Sequence, residues 1–388
     1  MKDVDVVVIG AGIHGAGVAQ AAAAAGYSVL VLEKNGIASG TSSKSSKLIH
    51  GGLRYLESYQ FSLVRKSLKE RAVLCQVAPE LVKLKPFYIP IYENTVRRPW
   101  QIRAGLAIYA FLGGLHKVNL FTSVGRNQLD NVDGLKKNKL QKVYRYYDGQ
   151  TNDKKLTQAV MASAMQLGAE LLCSIKIKSF IKRNDYFSVI YNLNNIEKEV
   201  KAKVIVNASG PWVNDVHGLV STQTDSLDID LVQGTHIFIE QAAPSGIYYL
   251  EAEDKRTVFV MPYEIDGEMK TMVGTTEKLF EGKADDVKPT EEEIEYLLKA
   301  YKAYFPEDNN TTIINNFAGL RVLPRETRES MFSRPRDTIL HWAMPGLLTL
   351  YGGKLTAYRS TASSVIKKIE PLLNKKKRVA YTDQLYLS

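Results

Sequence analysis

Cysteine is nearly absent from this sequence, and long uninterrupted hydrophobic runs are absent altogether. The 388 residues include only Cys75 and Cys173, which lack the paired spacing of a disulfide framework or a zinc site. We therefore expect no metal site and a reducing, cytoplasmic setting. Charged residues interrupt the apolar runs before they reach membrane-spanning length, and the chain opens directly on a predicted strand. The sequence thus indicates neither a transmembrane helix nor a signal peptide.

Acidic residues are outnumbered by basic ones in this chain. The 51 lysines and arginines against 41 aspartates and glutamates give a formal charge of +10. A basic balance favours nucleic acid, an anionic membrane surface or an anionic small molecule as partner. The basic runs at 136–142 and 374–378 are not interleaved with aromatic residues, so we expect no nucleic acid. With 45% hydrophobic residues, the chain is long enough for two interlocked domains.

The first 33 residues predict a strand, a glycine-rich turn, a helix and a second strand. A β-branched run at 6–9 predicts the first strand, and an alanine-rich stretch at 16–25 predicts the helix. The first glycine of the turn permits the tight bend, and the second lets the backbone approach a pyrophosphate at the helix N-terminus. The third lets the helix pack on the strand, and an acid after the second strand accepts hydrogen bonds from a ribose. The residues in these roles are Gly10, Gly12, Gly15 and Glu33. They predict a Rossmann-type dinucleotide site.

This unit alone does not distinguish NAD from FAD. No second GxGxxG pattern follows for a separate nicotinamide, so one dinucleotide is expected. A later apolar strand within 202–213 ends in Ala208, Ser209 and Gly210, whose small side chains let the backbone come near a cofactor. The polar loop SGTSSKSSKLIHGGLRYLE, at 39–57, follows the Rossmann unit. Both features favour FAD lying extended across the domain.

The remaining periodicity divides the chain into helices and an alternating strand region. Alternation at 228–276 predicts an antiparallel sheet that forms a separate substrate layer. The apolar helix at 100–115 carries flanking arginines, which leaves a buried core helix and a membrane-surface helix both open. We predict an α/β (α+β overall) fold, in which a Rossmann-type FAD-binding domain interlocks with an antiparallel-sheet substrate domain. The expected boundaries are 1–80, 150–220 and 335–388 for the first domain, and 81–149 and 221–334 for the second.

Seven blocks spread along the chain resemble the FAD-dependent glycerol-3-phosphate dehydrogenases of the D-amino acid oxidase-like flavoprotein superfamily. They are GAGIHGAG, TSSKSSKLIHGGLRYLE, NASGPWV, GTHIFI, EDKRTVFVMPY, GLRVLP and YGGKLTAYR. The resemblance implies noncovalent FAD, oxidation of sn-glycerol 3-phosphate to dihydroxyacetone phosphate, and electron transfer to a quinone or another acceptor. Many relatives continue into a C-terminal helical domain, which we expect this chain to lack. Peripheral contact with the inner face of an anionic membrane stays open beside a cytoplasmic location.

The same resemblance implies the residues of the active site. The substrate phosphate is expected at Arg54, Tyr55, Arg321 and Lys354. His236 is the expected base for the C2 hydroxyl, although a lone histidine in a strand is structural by default. Arg321 and Lys354 complete the expected catalytic set. Further expected FAD contacts are Thr41, Ser42, Ser46, Lys47, Leu48, Gly51, Gly52, Ile177, Trp212, Gly353, Leu355 and Thr356.

Two other functions stay open from the sequence. A related flavoenzyme that oxidises a 2-hydroxy acid or an amino acid also needs arginine, for the substrate carboxylate. A basic nucleic-acid-binding protein is the alternative from a different class. His50 is expected to bond a backbone carbonyl rather than to attach the flavin covalently.

Overall fold

The structure, a computed structural model, describes residues 2–125, 128, 133–306, 311–325 and 337–388. The predicted domain boundary between 334 and 335 lies outside these residues. The helices are α1 (Ile13–Ala24), α2 (Phe61–Val77), α3 (Pro99–Leu112), α4 (Asp153–Gln166), α5 (Val213–His217), α6 (Glu291–Tyr304) and α7 (Tyr358–Ile369). The strands are β1 (Lys2–Ile9), β2 (Val29–Leu32), β3 (Leu48–Ile49), β4 (Val82–Tyr92), β5 (Thr122–Ser123), β6 (Leu140–Thr151), β7 (Glu170–Leu172), β8 (Lys176–Lys182), β9 (Phe187–Leu193), β10 (Ile196–Asn207), β11 (Ile229–Ala242), β12 (Ile247–Glu251), β13 (Thr257–Ile265), β14 (Glu268–Gly274), β15 (Lys278–Phe280), β16 (Ile313–Pro324), β17 (Ile339–Met344) and β18 (Leu347–Tyr351).

The first sheet has the strand order β17–β18–β10–β1–β2–β7. Its centre is parallel, since β1 runs parallel to β2 and β10, and β10 runs parallel to β18. Helix α1 lies between α4 and α7 and is buried on nearly every side. This explains its alanine-rich sequence, because a helix covered all round by other elements has no polar face and little room for large side chains. The predicted Rossmann-type unit is therefore confirmed.

The second sheet has the order β15–β11–β14–β13–β12–β4–β6–β3, with β16 also paired to β11. Its neighbours are antiparallel at nearly every pair, as the alternating sequence predicted, but β12 runs parallel to β4. At this pair the strands of the 82–151 segment join those of 229–324. A mixed α/β architecture with two sheets is thus what the described residues form.

The strands of the two sheets alternate along the chain. The first sheet takes its strands from 2–32, 170–207 and 339–351, and the second from 48–49, 82–151 and 229–324. Strand β3 thus joins the second sheet, although we assigned its segment to the cofactor domain. The division into two interlocked domains stays our proposal, with the polar loop passing from one sheet to the other.

One face of helix α3 packs against the rest of the protein, and the opposite face is exposed to solvent. Tyr109 is among the residues buried on its inner face, whereas Trp100 and Phe111 are 70% and 69% exposed. Both interpretations left open by the sequence therefore keep support, because one face of α3 is buried in the core and the other is exposed. No helix in the described part of the chain is long and apolar enough to cross a membrane.

Candidate functional site

A cavity of ≈ 590 Å³ lies where the carboxyl ends of β1, β2, β10 and β18 face the second sheet. In open parallel sheets this edge is where ligands bind, and the volume is typical of a cofactor pocket. Most residues predicted to contact FAD line it. They are Gly10, Gly12, Glu33, Thr41, Ser42, Ser46, Leu48, Ile177, Ser209, Gly210, Trp212, Gly353, Leu355 and Thr356.

The glycine-rich turn has the close packing that its pattern predicts. A Cβ on Gly10, whose φ is +97°, would lie 2.9 Å from the carbonyl oxygen of Ala208. A Cβ on Gly15 would lie 1.9 Å from the carbonyl oxygen of Gly10. Gly15 therefore serves helix–strand packing and stays outside the cavity wall. The first turn of α1 contains no acidic residue, so its N-terminus suits an anionic pyrophosphate.

Glu33 is fixed at the end of β2 by backbone amides. Its carboxylate accepts hydrogen bonds from the N–H groups of Ala11, at 2.7 Å, and Asn35, at 2.8 Å. The side chain is buried and lines the cavity. Since a carboxylate has about four acceptor sites, Glu33 retains the capacity to accept from a ribose diol.

His14 tests whether the cavity fits FAD. Its ring lines the cavity beside Gly353, and both ring nitrogens are buried without a well-formed hydrogen bond to the described residues, although the backbone of Gly353 lies close enough to raise the pKa against the effect of burial. Burial lowers the pKa of His14 to about 4, so the ring is neutral and presents one donor and one acceptor. Buried polar atoms are nearly always paired, and FAD carries hydroxyls, carbonyls and phosphates that pair with both. The cavity therefore fits FAD.

Lys47, which we predicted to line the FAD, points away from the cavity. Its ammonium is buried, lies 2.6 Å from Asp153 Oδ1 and donates to the carbonyl of Ser43. Asp153 also accepts hydrogen bonds from the backbone and hydroxyl of Ser45. Lys47 thus anchors the polar loop to the start of α4, because a buried ammonium needs a counter-charge and finds it there.

Gly51 and Gly52 also lie outside the cavity wall, contrary to the expected flavin contact. A Cβ on Gly51 would lie 2.5 Å from the hydroxyl of Tyr109. Gly52 has φ +79°, and a Cβ there would lie 2.3 Å from the ring of Tyr55. The absence of a side chain at each glycine therefore leaves room for a tyrosine.

All four residues predicted to bind substrate lie near one another, and Glu277 lies among them. The Nζ atom of Lys354 lies 3.6 Å from the ring centroid of Tyr55, and the guanidinium carbon of Arg54 lies 5.4 Å from it. Glu277 Oε1 lies 3.4 Å from Arg54 Nη2 and 3.8 Å from Arg321 Nη1. We call these five residues, which include three cations, the cation cluster. It suits an anionic substrate group.

His236 stands on β11 at the cavity wall and is 1% exposed. Its Nε2 lies 3.0 Å from the hydroxyl of Ser46, and its ring stacks on Phe317 at 4.8 Å. Burial, followed by the charges of Arg321 and Lys47, holds its pKa well below the usual value. The ring is therefore neutral at pH 7.

Sequence reasoning missed two residues of this region, His14 and Glu277. His14 lies between the glycines of the GxGxxG pattern, where a polar side chain could have indicated a contact with the cofactor. Glu277 directly follows Gly-Thr-Thr at the end of β14, and an acid at the end of a central strand was also visible. His50 lines the cavity, and burial, with help from Lys354 and Arg54, lowers its pKa to about 3.

Comparison with known proteins agrees with this geometry. Residues 5–359 match the family model described as FAD dependent oxidoreductase. D-erythritol 1-phosphate dehydrogenase of Brucella abortus is 35% identical over 378 residues, covering 94% of this chain and 73% of that protein. Glycerol-3-phosphate dehydrogenase of Pseudomonas aeruginosa is 35% identical over 374 residues, covering 95% and 72%. The structure of glycerol-3-phosphate dehydrogenase from Bacillus halodurans complexed with FAD has a TM-score of 0.78 at 27% identity, covering 100% of this chain and 68% of that one.

The chain therefore belongs to the FAD-dependent oxidoreductase family. It is an enzyme that uses FAD and acts on a CH–OH group, and its branch of the family is that of the glycerol-3-phosphate dehydrogenases, as its motifs predicted.

Proposed function

We propose that this enzyme oxidises sn-glycerol 3-phosphate to dihydroxyacetone phosphate. The observation that supports this most is the cation cluster, in which Arg54, Arg321 and Lys354 come from distant segments to one place. Arginine matches phosphate oxygens with a planar fork of donors, and lysine adds a point charge. The curated relatives are named for glycerol 3-phosphate or erythritol 1-phosphate, which are both polyol phosphates.

The proposed chemistry removes a hydride and a proton from the secondary alcohol, which leaves a ketone. Bound FAD supplies the hydride acceptor. His236 is neutral and accepts the proton of the C2 hydroxyl, while Arg321 stabilises the negative charge that develops on that oxygen. Backbone amides of the short 3-10 helix Leu355–Ala357, which follows Gly353, would stabilise negative charge on the reduced cofactor.

The proposed FAD contacts are the cavity-lining residues, and the cofactor is held without a covalent bond. Gly10 and Gly12 would hold the pyrophosphate, and Glu33 would accept hydrogen bonds from the ribose. Thr356 holds the loop beside the cavity, since its hydroxyl accepts the backbone N–H of His50 at 3.2 Å. Lys47, Gly51 and Gly52 do not line the cavity, but they hold in place the loop that does.

A four-carbon substrate, D-erythritol 1-phosphate, is the second candidate. It is favoured by the Brucella abortus relative, which is as similar to this chain as the glycerol-3-phosphate dehydrogenases are. Both candidates present a phosphate to the cation cluster, and they differ only in the length of the polyol that the cavity admits.

Anaerobic mixing of the holoenzyme with single substrates tests the proposal. Glycerol 3-phosphate should bleach the flavin absorbance in a saturable way, whereas glycerol, 2-hydroxyglutarate and amino acids should bleach it poorly. A larger kcat/KM with erythritol 1-phosphate would move the assignment to the longer polyol. Bleaching by carboxylate substrates alone would show that the cluster binds a carboxylate and that the proposal is wrong.

We also propose that the electrons pass to a quinone at an anionic membrane surface. The support is the outer face of α3 and the residues after it, where Trp100, Phe111 and Leu115 are exposed beside the exposed cations Arg103 and Lys117. Apolar side chains insert below lipid headgroups, and basic side chains attract anionic ones.

Vesicle sedimentation tests this contact. The protein should sediment with phosphatidylserine vesicles and much less with neutral ones, and Trp100→Ser with Phe111→Ser should abolish the difference. Ile196→Ser is the matched control, because Ile196 is an exposed apolar residue of another element, β10. Equal binding of the double variant would contradict the role of α3.

A further inference from the structure

Tyr109 connects helix α3 to the turn that precedes the substrate residues. The backbone N–H of Gly51 donates to the Tyr109 hydroxyl at 2.8 Å, and Tyr109 is 1% exposed. A Cβ on residue 51 would lie 2.5 Å from that hydroxyl oxygen. The contact therefore depends on glycine at this position, and it satisfies a backbone donor that is shielded from water.

A series of buried polar groups holds the Tyr109 hydroxyl in place. The hydroxyl donates to Asp148 Oδ2, and Asp148 Oδ1 pairs with Arg71. Arg71 donates in turn to Asn119 and to the carbonyl of Tyr147. Burial raises the pKa of Tyr109 well above its usual value, so the hydroxyl keeps its proton and stays a donor to the carboxylate. A buried ion pair with its other atoms hydrogen-bonded is a rigid support.

The supported turn leads from the cavity wall to the cation cluster. His50, before the turn, lines the cavity, and the short 3-10 helix Leu53–Leu56 after it carries Arg54 and Tyr55. A displacement of Gly51 therefore moves the two substrate residues relative to the rest of the cluster, which is attached to other elements.

We propose that Tyr109 is a positioning residue for substrate binding. Its hydroxyl fixes the Gly51–Gly52 turn and thereby holds Arg54 and Tyr55 where they meet the substrate phosphate. The inference rests on the proposed function in one respect, namely that the ligand of the cluster is a phosphate.

Tyr109→Phe tests the inference, with Tyr146→Phe as its matched control. The ring of Tyr146 packs against that of Tyr109 at 5.8 Å, but its hydroxyl has no hydrogen bond to the described residues. Inorganic phosphate is titrated into each holoenzyme while the flavin absorbance is followed, and KM and kcat are measured with glycerol 3-phosphate. In Tyr109→Phe, the Kd of phosphate and the KM should rise about three- to tenfold, as expected for one lost buried hydrogen bond.

The same variant should retain its FAD and keep kcat within about twofold, because only binding of the phosphate is affected. Tyr146→Phe should match the wild type in each measurement. Normal phosphate affinity in Tyr109→Phe, with a lower Tm alone, would reduce Tyr109 to a structural role.

If Tyr109→Phe does not fold, Gly51→Ala displaces the same turn from the other side and should weaken phosphate binding while FAD is retained. Unchanged phosphate affinity in that variant would overturn the inference. A wild-type enzyme that binds no phosphate would instead contradict the proposed function itself, so the two failures are distinguishable.

Discussion

Replacing His14 by leucine should stabilise the apo-protein and weaken its binding of FAD. In the folded chain, burial holds the ring neutral, and neither ring nitrogen has a well-formed hydrogen bond to the described residues, although the backbone of Gly353 lies close. Such a polar group is costly to bury, whereas leucine has a similar size and needs no partner. FAD would supply a well-placed partner, so the substitution should stabilise the apo-protein and destabilise the complex with FAD.

The magnitudes follow from hydrogen-bond energetics. An unsatisfied buried polar group costs about 1–3 kcal/mol, which is the gain expected in the unfolding free energy of the apo-protein. A hydrogen bond contributes about 0.5–1.5 kcal/mol net, so the Kd of FAD should rise about two- to tenfold. Denaturant unfolding of protein freed of its flavin gives the first quantity, and fluorescence titration with FAD gives the second.

His217→Leu is the matched control for this prediction. The ring nitrogens of His217 lie 3.1 Å from Thr224 Oγ1 and 3.1 Å from Thr349 Oγ1, so this histidine is satisfied by the protein. The same substitution there should destabilise the apo-protein and leave the FAD affinity unchanged. If His14→Leu destabilises the apo-protein as His217→Leu does and binds FAD normally, the reasoning about unpaired nitrogens is refuted.

Three further predictions concern the attachment of FAD, the response to acid and the proposed base. Denaturation should release FAD into the supernatant, whereas flavin that stays with the precipitated chain would indicate attachment at His50. Acid should destabilise the apo-protein below pH 6.5, because unfolded His14 and His50 take up protons there and the folded forms do so only near pH 4 and pH 3. Each histidine should contribute about 1.4 kcal/mol per pH unit in that range, and His50→Asn should reduce the slope seen in denaturant unfolding at stepped pH. His236→Ala should slow anaerobic flavin reduction about 10²–10⁴-fold with little change in phosphate binding, whereas Lys354→Ala should mainly weaken that binding. Near-normal reduction by His236→Ala would make the histidine structural.

The cofactor half of the molecule was predictable because its signals are local. A β-branched run, three glycines at fixed spacing and an alanine-rich helix occupy consecutive positions. Each of them is required by one physical feature of a dinucleotide-binding unit. The structure accordingly begins α1 at Ile13 and buries it between two helices. Gly15 was correctly assigned to packing, since its hypothetical Cβ meets the Gly10 carbonyl.

The polar loop was harder to predict because its contacts are with residues far away in the chain. Lys47 is explained by Asp153, and Gly51 by Tyr109, and neither partner can be identified from the loop itself. The pKa of His236 likewise depends on burial in a sheet and on cations from other segments. Residue types in a motif therefore indicate a site, while the direction of each side chain comes from tertiary packing.

The most direct test of the central claim is whether Arg54 recognises the phosphate of the substrate. The rate of anaerobic flavin reduction is measured with glycerol 3-phosphate and with glycerol, in the wild type and in Arg54→Ala. Loss of one charge-assisted contact costs about 1.5–3 kcal/mol, so kcat/KM for glycerol 3-phosphate should fall about ten- to a hundredfold. The value for glycerol, which has no phosphate to lose, should stay unchanged. An equal fall with both substrates would contradict phosphate recognition by the cation cluster.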